Sequence, residues 1–399
     1  MGKRSGEGFV AHKATLVNAL SRALADRVML MDLEIGRKGF LSYLKALAGS
    51  NAVKVIPANG SASPSAEGQA TVKRLKVICG ASTSYIANGE WIKTGGKGKM
   101  TPLTFCEVRV SPSNTVKPNI GSLELAEALN RVLPFTAKDD KRPVLSCVNF
   151  VAKDGKLNLI SADGFRLAVV SLDYEDGEGQ ALISRDSLKG VANALRKAKR
   201  ARISFVGNES LDGKDLILDT ELIRYKWVSF QGSYPDWQTL IPTEFNTVAH
   251  FDTVEAIKAI RSLKALTDNK AYPVDLTLDN GSVVMANPDD KGQTAIPADI
   301  EGKPIKVRLA GDYLTEVLRA CGGMVDFKLA NSYSPTVFTV DGFQLVLMPM
   351  FTTEATEAQK RDNEAKQAET KAVAEAEAVA EAEAKPKRNR KRDKVAVAA

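Results

Sequence analysis

A chain of 399 residues with 44% hydrophobic content can hold two or three domains and bury a sizeable core. Its net charge of +7 permits contact with phosphate without establishing it. Cys79, Cys106, Cys147 and Cys321 lie far apart with no CxxC pair, so they suggest neither a zinc site nor a disulfide scaffold and fit a reducing cytoplasm. The charged N-terminus lacks the apolar run of a signal peptide, and no stretch of about 18 apolar residues predicts a membrane span.

Hydrophobic periodicity predicts helices over 11–25 and 38–48, with "VMLMDLEI" between them and the strands "AVKVIPA" and "LKVICG" after them. The small, Gly-rich pieces "SASPSAEGQ" and "TGGKGKMT" read as loops. Further helices are expected at 122–133, 185–199, 252–264 and 311–321. Ser122, Ser184 and Asp252 are candidate N-caps, Asp252 with Glu255 has capping-box spacing, and Gly322-Gly323 stops the last helix. Asp154-Gly155 and Asn280-Gly281 predict tight hairpins.

The pattern repeats. "SYLKALAG", "LKGVANALRK" and "YLTEVLRACGG" occupy equivalent places, each followed by strand-like runs. "KRPVLSCVNFVAKDGKLNLISADG" and "NKAYPVDLTLDNGSVVMANPD" form a second recurring unit. The expected plan is therefore α+β, three copies of one domain at 8–115, 118–242 and 246–352, the first shortened in its outer sheet. From 353 to 399 the chain is Ala/Glu-rich, too poor in large apolar residues to build a core, and is expected to be disordered or a transient helix. It ends in the basic cluster 385–394.

No catalytic set emerges. His12 and His250 have no carboxylate or cysteine at triad or ligand spacing. "GGKGKMT" lacks the spacing of a phosphate loop, and Met100 interrupts its Gly-Lys-Thr. Asp139-Asp140 and Asp289-Asp290 sit in turn-like contexts rather than metal-binding ones. No enzyme activity, cofactor or metal is expected. The basic stripes are more suggestive. Lys189, Asn193, Arg196, Lys197 and Arg200 oppose the apolar face Leu188, Val191, Ala192 and Leu195. Lys258, Arg261 and Lys264 form a second stripe, and Lys13, Arg22, Lys45, Arg131 and Arg319 add charge to the other helices. Such a stripe is usually a solvated face, but recurrence on equivalent helices would make one continuous phosphate-binding surface.

Three pieces in fixed order carry a resemblance: "RPVL" at 142–145 with "KDGKL" and "SADGFRL" at 161–167, "YPDW" at 234–237, and "MPM" at 348–350. Together they resemble the bacterial DNA polymerase III β sliding clamp, over most of 118–352, more weakly over 8–115, and not beyond about 353. The resemblance implies a head-to-tail homodimeric ring with helices inside and antiparallel sheets outside. Double-stranded DNA would be held without sequence preference, and the basic stripes would face it. It implies a cleft for short tail peptides of DNA polymerase and clamp-loader subunits, and no membrane. Matched by position, the cleft comprises Leu145, Ala162, Gly164, Phe165, Arg166, Leu167, Pro235, Thr239, Leu240, Val346, Met348, Pro349 and Met350. Phe165, Thr239 and Phe351 depart from the family pattern, making the rim more apolar and less positive. The alternative is a clamp-derived adaptor that keeps the cleft without encircling DNA. The tail that begins beside the cleft is expected to modulate access to it or to add a DNA contact.

Overall fold

The computed structural model describes residues 9–22, 27–30, 33–47, 52–58, 74–80, 82–87, 106–110, 115–139, 142–207, 214–267, 272–289 and 291–364. The loop readings "SASPSAEGQ" and "TGGKGKMT" and the basic cluster 385–394 lie outside these residues.

Among the described residues the helices up to the last strand are, in chain order, α1 Lys13–Arg22, α2 Arg37–Ala46, α3 Ser122–Val132, α4 Arg185–Leu188, α5 Val191–Leu195, α6 Thr253–Lys264 and α7 Gly311–Cys321. Their apolar stripes decide which side is buried. In α3 these are Leu125, Ala126, Ala128, Leu129 and Val132, and in α6 Ala256, Ala259, Ile260 and Leu263. Asp252 caps α6 as expected, its carboxylate accepting the Val254 amide at 2.8 Å. Glu255, however, pairs with Lys258 at 2.9 Å. The cap of α3 is Gly121 rather than Ser122. The Ser122 hydroxyl instead donates to the Ala198 carbonyl at 2.8 Å, tying α3 to the chain after α5.

The single helix expected at 185–199 is two short ones. The break falls at Lys189-Gly190, where glycine is a poor helix former. The phase survives the break, since Leu188, Val191, Ala192 and Leu195 are all buried. The chain then tightens, Lys197 and Ala198 donating to carbonyls three residues back at 3.1 and 3.0 Å.

A nine-stranded antiparallel sheet runs Gly179–Ser184, Cys147–Lys153, Lys156–Ala162, Arg166–Asp173, Phe343–Leu347, Thr336–Val340, Met324–Leu329, Thr247–Asp252 and Asp299–Gly302. A six-stranded sheet runs Ala201–Val206, Asp215–Thr220, Ile223–Trp227, Cys106–Val110, Arg27–Leu30 and Leu33–Gly36. Two four-stranded sheets comprise Phe9–His12, Ala52–Ala58, Arg74–Cys79 and Ser82–Ala87, and Gln293–Pro297, Ser282–Ala286, Pro273–Asp279 and Ile305–Ala310. The two larger sheets thus straddle the boundaries expected near 115–118 and 242–246. The run "VMLMDLEI" supplies a hairpin whose first strand pairs in parallel with Cys106–Val110. Both predicted tight turns have positive φ at both central residues, 52° and 73° at Asp154-Gly155 and 47° and 75° at Asn280-Gly281.

Strand parity separates two cores. Ala168, Val170, Phe343, Leu345 and Leu347 face the helices and the main core. Their neighbours Leu167, Val169 and Val346 face the other way, joining Ile160 and Val337 in a second cluster. Tyr234, Trp237, Ile241 and Phe245 cover that cluster. Burial on both faces is why these strands read as continuous apolar runs. Among the described residues no helix is long and apolar enough to cross a membrane.

Candidate functional site

Pairing of Arg166–Asp173 with Phe343–Leu347 sets the site. Its register places Leu167 opposite Val346 and Arg166 opposite Leu347. The pairing continues past the strand ends, the Met348 amide donating to the Phe165 carbonyl at 2.9 Å. Segments 162–167 and 346–348, separated by about 180 residues of chain, therefore form one edge. The segment 234–245 lies on the same side, over Leu167 and Val346. The short turn Pro143–Ser146 carries half-buried Leu145 and packs on Lys156–Ala162.

Exposure divides the thirteen residues expected to form a cleft. Phe165, Leu240 and Met348 are exposed large apolar side chains. Gly164, Pro235 and Thr239 are also exposed, and Leu145, Ala162 and Met350 are half-buried. Leu167, Val346 and Pro349 are buried and can supply a floor. Gly164 has φ +92°, a conformation L side chains rarely adopt, so the turn favours glycine. Asp163 closes that turn, accepting the amides of Phe165 and Arg166 at 3.0 and 2.8 Å.

Arg166 departs from the expected arrangement. It is buried, and strand parity turns it away from Leu167 toward the helices. Its guanidinium donates to Asp163 at 2.9 and 2.7 Å and to Glu316 on α7. It also lies 5.1 Å from the Phe135 ring centre and 4.3 Å from that of Tyr313. Burial opposes its charge, but the Glu316 and Asp163 carboxylates outweigh it and hold its pKa above the ordinary arginine value. Tyr313 in turn meets Phe165, ring centres 5.9 Å apart.

The basic residues are distributed unevenly. Lys45, Arg196, Lys197, Arg200, Arg261 and Arg319 are exposed. Lys189 pairs with Asp186 at 2.7 Å and Lys258 with Glu255. Lys264 sits 4.7 Å over the Tyr272 ring. Lys13 is half-buried and donates to the Leu47 carbonyl. Arg131 is half-buried, 5.3 Å over the Phe343 ring. The side chain of Arg22 is outside the described residues. A cavity of about 650 Å³ brings Lys189 and Arg319 together with Lys138 and Arg185. Lys138 was missed because it lies outside the helices, and Arg185 although it stands one turn before Lys189, at the first residue of α4. Tyr234, Trp237 and Tyr313 were missed too. "YPDW" pointed at the first two, but Tyr313 is distant in sequence and carried no signal.

The tail does not begin as irregular chain. Residues 353–364 are helical, and the Ala355 amide donates to the Thr352 hydroxyl at 3.1 Å at the start. Ala355 is buried against the body, and the Tyr333 hydroxyl donates to Asp362 at 2.6 Å. Burial and that carboxylate push the Tyr333 pKa up to about 12.

Residues 119–236 match the family model described as DNA polymerase III beta subunit, central domain. The beta sliding clamp of Streptomyces coelicolor is 27% identical over 244 residues, 59% of this chain and 62% of that protein. The Synechococcus elongatus clamp is 26% identical over 228 residues, 54% of this chain and 59% of that one. The chain thus spans less than two thirds of the length of these curated relatives. A Pseudomonas aeruginosa DNA polymerase sliding clamp superposes with TM-score 0.61 at 17% identity, over 87% of this chain and 100% of the other. The Thermotoga maritima DNA polymerase III beta subunit gives 0.61 at 17%, over 86% and 99%. Such likeness carries the fold, a mixed helix-and-sheet arrangement shared with sliding clamps.

Proposed function

We propose that this chain, a divergent relative of the bacterial β sliding clamps, is itself a DNA sliding clamp. It tethers DNA polymerase and other replication proteins to duplex DNA for processive synthesis. In this reading three repeats form a crescent, and two crescents close head to tail into a ring. The basic helical stripes face the duplex and contact phosphates without reading bases, so binding is sequence-neutral and salt-sensitive. A closed ring holds DNA by topology, and no catalysis by the clamp is required.

The observation that carries this reading is the register joining segments 162–167 and 346–348 beneath 234–245. It gathers exposed Phe165, Leu240 and Met348 around a floor of Leu167, Val346 and Pro349. Such a surface suits leucine and aromatic anchors of a partner's tail, and methionine adapts to several partners. The test is Met348→Ala with Met350→Ala, probed with a synthetic peptide bearing leucine and phenylalanine anchors. Binding is expected to weaken by roughly 1–3 kcal/mol while the thermal unfolding curve stays cooperative. Unchanged binding would reject the cleft, and loss of folding would make these methionines core residues.

A further inference from the structure

Arg166 stands in the cleft motif, yet its side chain leaves the cleft. Adjacent strand residues point to opposite faces, so with Leu167 on the covered outer cluster Arg166 lies on the helix side. There it is buried, forked onto Asp163, bonded to Glu316, and flanked by Phe135 and Tyr313. Asp163 also accepts the amides of Phe165 and Arg166. The same residues therefore form the turn that presents Phe165 and the anchor that holds this turn to α7. Tyr313 completes the link by meeting both Arg166 and Phe165. Glu316 lies on the helix side of the sheet, lining the cavity with Lys189 and Arg319.

We infer that Arg166 is a positioning residue. It does not touch a bound peptide but clamps the Asp163–Phe165 turn to α7, so the shape of the cleft depends on Glu316 behind the sheet. A planar fork between two rings fixes orientation as well as charge, which a lysine cannot reproduce. The inference rests on the cleft reading for its functional consequence, but the clamp itself is tested separately.

The test uses the full chain with Glu316→Gln and, separately, Arg166→Lys. Glu316 is partly exposed on α7, so its substitution leaves core packing in place. Two readouts are needed: amide hydrogen exchange at Phe165 and Arg166, and affinity for the leucine/phenylalanine peptide. In Glu316→Gln, exchange at both amides is expected to rise about tenfold with the melting temperature nearly unchanged. Peptide affinity is expected to fall about fivefold, chiefly through faster dissociation. Arg166→Lys should move both readouts the same way. Unchanged exchange in Glu316→Gln overturns the clamp. Faster exchange with unchanged affinity overturns the positioning role. If the unsubstituted protein binds no such peptide, the cleft reading fails instead, and exchange alone decides the clamp.

Discussion

Charged residues here are informative where they are buried. Asp275 is almost fully buried and accepts from Arg308 at 2.8 Å and pairs with Lys306 at 3.2 Å. Burial alone would raise its pKa, but Arg308 and Lys306 outweigh that and hold it below the usual carboxylate value. A depressed folded pKa gives stability that is complete above the unfolded value of about 3.9 and is lost as pH falls through the folded value. Asp275→Asn is therefore expected to destabilise the protein by about 1–3 kcal/mol at pH 7. The gap from the unsubstituted protein should narrow as the pH drops below about 4. Chemical denaturation of both proteins across pH checks this; a gap independent of pH would mean that packing, not charge, is lost.

Among the elements, the 353–364 helix answers an expectation left open between disorder and a transient helix. It buries one small residue, Ala355, and one hydroxyl–carboxylate bond fastens its far end. So little burial leaves no periodic apolar signal, whereas α7 buries Leu314, Val317, Leu318 and Cys321 and is plain in the sequence. The helix leads from the cleft strand toward a segment with seven Lys and Arg residues within 385–394. Deleting 353–399 is expected to lower DNA affinity and flatten its salt dependence, because fewer phosphates are neutralised. Titration of duplex DNA and of peptide at several salt concentrations measures this. Unchanged affinity for both would remove any role for the tail in either contact.

At the scale of the whole molecule, ring closure needs free sheet edges. Among the described residues, Ser82–Ala87 pairs only with Arg74–Cys79, and Gln293–Pro297 only with Ser282–Ala286. The first of these edges carries exposed Tyr85. An open edge with an exposed aromatic is a liability unless another chain covers it. Light scattering across a dilution series should give twice 43.0 kDa if two copies close. A persistent monomer would favour a cleft-bearing adaptor. For a closed ring, Arg196→Glu with Lys197→Glu should weaken DNA binding and reduce its salt slope by roughly 2. No change would place both exposed side chains toward bulk water.

Local chemistry determined much of this protein. Turn residues at Asp154-Gly155 and Asn280-Gly281, the cap at Asp252 and the apolar stripes of α3, α6 and α7 act within a few residues, so each was legible in the sequence. The cleft motifs were legible as fragments. Their junction was not, because Arg166–Asp173 and Phe343–Leu347 pair across some 180 residues and nothing local encodes that register. The direction of Arg166 was half-visible, since strand parity opposes it to Leu167, but its partners Glu316 and Tyr313 come from α7. Only the tertiary structure decided that this arginine packs against α7 behind the sheet, because a buried guanidinium needs carboxylates and ring faces that distant segments supply.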